Sequence, residues 1–99
     1  MLKSAPRSPR LNREAAETIA AQGLAFLSAE PALLARFLAL TGLQPADLKA
    51  RLGSAEVLAA VLNFLAADES LLLAFAANHN VAPETIGLAL SVLDASDAP

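Results

Sequence analysis

"LAFLSAEPALLARF" occupies Leu24–Phe37, and "LNFLAADESLLLAF" occupies Leu62–Phe75. Laid over each other, the two stretches align Leu24 with Leu62 and Phe37 with Phe75, and the same offset extends the match from Ala16–Leu52 onto Ser54–Leu90. Between Leu24 and Leu52, 10 of 29 positions are identical without a gap, among them Leu27/Leu65, Leu33/Leu71, Leu34/Leu72 and Pro45/Pro83. All four phenylalanines fall into matched pairs, Phe26/Phe64 and Phe37/Phe75. Ala- and Leu-rich chains align leucines by chance, but chance does not also register every phenylalanine and a mid-turn proline. The chain therefore reads as a tandem repeat.

Each copy reads as three helices. The first begins at Asn12, a residue whose side chain can satisfy a free helical N–H, and carries Ile19, Gly23, Phe26 and Leu27 at helical spacing. Its counterpart follows Gly53-Ser54 and carries Val57, Leu58, Val61, Leu62 and Leu65. The second helices begin around Ser28 and Asp68, with Pro31 where a missing N–H costs nothing, and bury Leu33, Leu34 and Phe37, or Leu71, Leu72 and Phe75. They end at Gly42 and Asn80, the two residue types suited to a left-handed helix stop. The third helices start at Pro45 and Pro83, favoured first-turn residues, and bury Leu48 and Leu52, or Ile86 and Leu90. No stretch alternates as a strand would.

The predicted fold is all-α: a six-helix closed bundle of two tandem three-helix repeats about a pseudo-twofold axis. Repeat one spans about 12–52 and repeat two about 54–93, within one domain at 12–95. Residues 1–11 are expected to form a flexible basic arm, and 96–99 a frayed end.

Composition agrees with helices. Hydrophobic residues make up 56% of the 99-residue chain and only 4% are aromatic, so the excess lies in Ala and Leu, the strongest helix formers. The absence of Cys rules out a disulfide framework or thiolate chemistry and suits a reducing cytoplasm. "MLKSAPRSPRLNR" lacks the apolar core of a signal peptide. No uncharged stretch reaches the ~18–20 apolar residues of a membrane span. A cytoplasmic protein is expected.

Charge is divided along the chain. Lys3, Arg7, Arg10 and Arg13 give the first thirteen residues +4, and the remainder sums to −7. The basic arm is a candidate polyanion contact. Its four charges, without a basic docking face, make nucleic-acid binding the weaker expectation. "LALTGLQPADLKARL" and "FAANHNVAPETIGLAL" trace the outline of a helix-turn-helix. The would-be recognition helices are neutral or acidic, so packing is the expected role of both pairs.

No catalytic, cofactor-binding or metal-ligating set is assigned. His79 is the sole histidine, placed where a helix C-terminus accepts a cation. Asp68 and Glu69 stand where helix starts favour acids. The four glycines are too scattered for a phosphate loop.

Where the copies differ, the difference is chiefly apolar. Leu73 answers Ala35, Leu88 answers Ala50, Val61 answers Gly23, and Leu40 answers Asn78. On the last helix Ile86, Leu90 and Leu93 form one stripe, with Leu88 and Val92 roughly 160° away at ~100° per residue. Leu73, Leu88 and Val92 are therefore the candidate partner-binding residues. The expected function is a non-enzymatic interaction module that binds a protein partner or itself as a homodimer. A nucleic-acid-associated protein tethered by the arm is the alternative.

"RFLALTGLQPADLKARL" and "LNFLAADESLLLAFAANHNVAPETI" give the chain a likeness beyond its own repeat. From about Ala16 to Leu93 it resembles a family of short all-α alphaproteobacterial proteins catalogued as a domain of unknown function. The resemblance implies a bacterial cytoplasmic protein and supplies no catalytic residues.

Overall fold

A computed structural model describes residues 11–96. These form six helices and no strand: α1 Arg13–Ser28, α2 Pro31–Thr41, α3 Pro45–Ala50, α4 Ala55–Ala66, α5 Glu69–His79 and α6 Pro83–Ser96. Local chemistry sets their ends. Asn12, Ser54 and Asp68 each precede a helix in extended conformation, and each side chain satisfies a first-turn N–H. The Ala15 N–H donates to Asn12 Oδ1 at 2.7 Å. The Val57 N–H donates to Ser54 Oγ at 3.2 Å, and the Leu71 N–H to Asp68 Oδ1 at 3.2 Å. Glu30 occupies the same position before α2, but its side chain makes no capping bond.

The stops are left-handed, as expected. Gly42 lies at φ 77° and Asn80 at φ 55°. Glycine and asparagine tolerate this conformation better than other residues, so the chain reverses at both places. The Gly42 N–H donates to the Leu38 carbonyl and the Val81 N–H to the Ala76 carbonyl, each at 2.9 Å. Sharp bends of 117° between α1 and α2 and 110° between α4 and α5 turn the chain. No single helix among the described residues is long and apolar enough to cross a membrane.

The core is organised around α4, which buries Val57, Leu58, Val61, Leu62, Phe64 and Leu65. Each such side chain contributes roughly 1.5–3 kcal/mol when removed from water. Helices α1 and α6 both pack on α4 and on each other, supplying Ala16, Ala20, Leu27, Ile86, Ala89 and Leu93. Phe37 and Phe75 bring α2 and α5 onto this layer. The rings of Phe26 and Phe75 lie 5.6 Å apart, and those of Phe37 and Phe64 lie 5.5 Å apart in an edge-on arrangement.

One expected core residue is outside. Leu52 is 46% exposed, because α3 stops after six residues at Ala50 and Arg51 leaves helical geometry. The chain must start α4 at Ser54, so Leu52 falls in the connecting turn. Nothing curtails α6 in this way; it runs to Ser96 and keeps Leu90 half-buried against the core. At the other end Leu11 also packs on the core. The rest of the expected arm, including Lys3, Arg7 and Arg10, and residues 97–99 of the expected frayed end lie outside the described residues.

Helices α1 and α4 approach closely at Gly23. A Cβ on Gly23 would come within 3.0 Å of Leu65 Cδ1 and 3.1 Å of Val61 Cγ1. Gly23 is buried there despite its cost to helix propensity, and a side chain in its place would press on Leu65 and Val61. Gly23→Val is expected to destabilise the fold by about 1–3 kcal/mol through overpacking, read as a lower urea midpoint with an unchanged denaturant slope.

Candidate functional site

The last helix separates its apolar residues by position. Ile86, Ala89 and Leu93 recur at helical spacing, and all three are buried against α1 and α4. Val92, half-buried, also packs against the core. Leu88, one turn before Val92, is 38% exposed. The expected second stripe of α6 thus divides, Val92 facing partly inward and Leu88 outward. Leu73 projects from α5 at 50% exposure, beside the half-buried Leu72.

Leu40, near the end of α2, is the most exposed large hydrophobic side chain among the described residues, at 73%. The sequence carried a signal for it, since a leucine there answers a polar Asn78. Leu40 lines a shallow groove with Thr41, Ala60, Asn63, Phe64 and Ala67. One turn earlier on α2, the Arg36 guanidinium sits 5.5 Å from the centre of the Phe64 ring. This is a cation held on an aromatic face. Phe64 is 8% exposed beneath it.

A larger groove lies between the C-terminal ends of α1 and α5, lined by Ala25, Phe26, Ala29, Glu30, Asn78 and His79. The His79 ring lies 4.9 Å from the Phe75 ring and stands edge-on to Phe26 at 6.2 Å. Asn78 Nδ2 donates to the Ala74 carbonyl at 3.0 Å, and Asn78 lines the groove. Among the described residues the Glu30 carboxylate joins no hydrogen bond or ion pair. A third groove, beside the α2–α3 turn, is bordered by the ion-paired Arg51 and Glu56.

Among the described residues no group of three His, Asp or Glu side chains is placed to hold a metal ion. Of the four candidate arm cations, Arg13 is described: it opens α1 and pairs with Glu17 at 2.8 Å. The two stretches with a helix-turn-helix outline fall on α2–α3 and α5–α6, and α3 spans only six residues.

The match to known families runs from 13 to 96, nearly the whole described chain, against the family described as "Protein of unknown function (DUF3572)". The chain belongs to the DUF3572 family. No curated protein and no solved structure matches it.

The two faces of α6 should respond differently to substitution. Leu88→Ser is expected to change stability by no more than ~0.5 kcal/mol in the monomer, whereas Leu93→Ala, which opens a cavity against α1 and α4, should cost about 2–5 kcal/mol. Urea denaturation of both variants at low protein concentration provides the comparison.

Proposed function

We propose that this DUF3572 protein is a non-enzymatic interaction module, built from two copies of one three-helix unit and binding through the exposed leucines of its second copy. The two-copy reading draws support from geometry. The offset that aligns the two copies carries the end of α1 onto the end of α4, both ends of α2 onto those of α5, and the start of α3 onto that of α6. The aromatic pairs support it further. Exchanging copies turns Phe26–Phe75 into Phe64–Phe37, and the two centroid distances are nearly equal, at 5.6 Å and 5.5 Å. Gly23 and Val61 are equivalent positions that meet each other, as residues do on a twofold axis.

The interaction reading rests on one observation. Leu73 and Leu88 stand exposed where their counterparts Ala35 and Ala50 also stand exposed. The unit folds with alanine at both places, so leucine there serves no evident need of the fold. Exposed leucines that the fold does not require are the residues an interface uses, with a few well-packed side chains setting its affinity. A homodimer is the simplest form of this function, with Val92 extending the α6 contact around Leu88.

Two measurements test these readings. In light scattering across a concentration series, the native chain is expected to give a dimer mass. The double variant Leu73→Ala/Leu88→Ala, which restores the residues of the first copy, should give the 10.2 kDa monomer mass with an unchanged helical spectrum. A native chain that is monomeric throughout and captures no protein partner refutes the interaction reading. The repeat is tested by the exchange Gly23→Val/Val61→Gly. Its loss of stability should be less than half the sum of the two single losses if the positions face each other as equivalents.

A further inference from the structure

The two grooves at the helix ends correspond to each other, and this inference rests on the two-copy reading. Ala25, Phe26 and Ala29 of the larger groove answer Asn63, Phe64 and Ala67 of the smaller, while Asn78 and His79 answer Leu40 and Thr41. Three differences separate them. In the smaller groove the Phe64 face is covered by Arg36, but the residue answering Arg36 is Ala74, and among the described residues no guanidinium lies over Phe26. Phe26 is correspondingly more exposed than Phe64. The acids also differ in employment: Asp68 is engaged in capping α5, while its counterpart Glu30 leaves its carboxylate uncommitted at the groove. The groove volumes follow the same order, about 480 Å³ against about 320 Å³.

We infer that the α1–α5 groove receives an arginine side chain from a basic segment of a partner polypeptide, placed over Phe26 as Arg36 is placed over Phe64. Complementarity of charge selects this occupant. The groove lies where α1 and α5 both end and α2 begins, so the partial negative charge of two helix C-termini meets the partial positive charge of one N-terminus there. Glu30, exposed at the groove, adds a carboxylate. The rings of Phe26 and His79 provide flat walls for a planar guanidinium, which is weakly hydrated and stacks on aromatic faces better than an ammonium does. The protein's own Arg36 on Phe64 shows that the unit accommodates a guanidinium at this register.

The probe is acetyl-alanyl-arginyl-alanine amide, titrated into the isotope-labelled full chain at low salt while backbone amide resonances are followed. Saturable shifts are expected at Ala25–Glu30 and at Ala77–Asn80. The same peptide carrying neutral citrulline for arginine should produce none. Glu30→Gln, isosteric and exposed, should weaken binding at least fivefold. Ala74→Arg, which supplies the guanidinium from within, should abolish it. Equal shifts from the citrulline peptide, shifts confined to other residues, or native affinity in Glu30→Gln would each overturn the proposal. Native binding by a folded Ala74→Arg chain would overturn the placement over Phe26, with the two-copy reading still judged separately by the Gly23/Val61 exchange. The full chain bearing Lys3→Ser, Arg7→Ser and Arg10→Ser settles the source. If these substitutions alone, without peptide, move the groove resonances in the opposite direction to the peptide, the occupant is the protein's own N-terminal segment, and a partner's arginine is excluded.

Discussion

Everything in this fold is arranged around the crossing of α1 and α4 at Gly23. With only hydrogen on Gly23, Val61 and Leu65 close on the α1 backbone, and the apolar contacts between the two helices can form on either side of that point. Helix α6 then has a two-walled trough to fill, with Ile86, Ala89 and Leu93 buried where it meets both helices. The short helices α2 and α5 follow, swung away by bends of 117° and 110° and each pinned by a buried phenylalanine. A methyl at the crossing would press on Leu65 and Val61, because packed interiors leave little slack to absorb it.

Much of this was legible in the sequence because the decisive residues act locally. Pro45 and Pro83 start helices, Gly42 and Asn80 stop them, and Asn12, Ser54 and Asp68 cap them through their own side chains. The phenylalanine pairs and the leucines at helical spacing identified the core for the same reason. Leu52 was misjudged because its fate depends on the next element. Periodicity continues through it, but the cap at Ser54 ends the room available to α3.

The candidate binding surfaces were less legible. Leu73 and Leu88 were marked by comparing the copies, and both are exposed. Val92 belongs partly to the core, because α6 has neighbours on two sides and a stripe on the far side of one contact is the near side of the other. The grooves could not be read at all. The contact of Arg36 with Phe64 joins different helices, and the idleness of Glu30 is known only once its backbone and that of α2 are in place. Both are products of tertiary geometry acting on residues that look ordinary in a line.

The position of α6 has a consequence for how the chain comes to be folded during synthesis. Its main partner besides α4 is α1, at the opposite end of the helical domain. Until α6 has left the ribosome, Ala16, Ala20 and Leu27 on α1 and the matching face of α4 lack the helix that shields them. The apolar trough is therefore unfinished from the emergence of α4 until that of α6, since domains complete only when their sequence-distant contacts can close. The nascent protein is at its stickiest just before α6 emerges, and the emergence of that helix is the event that seals it.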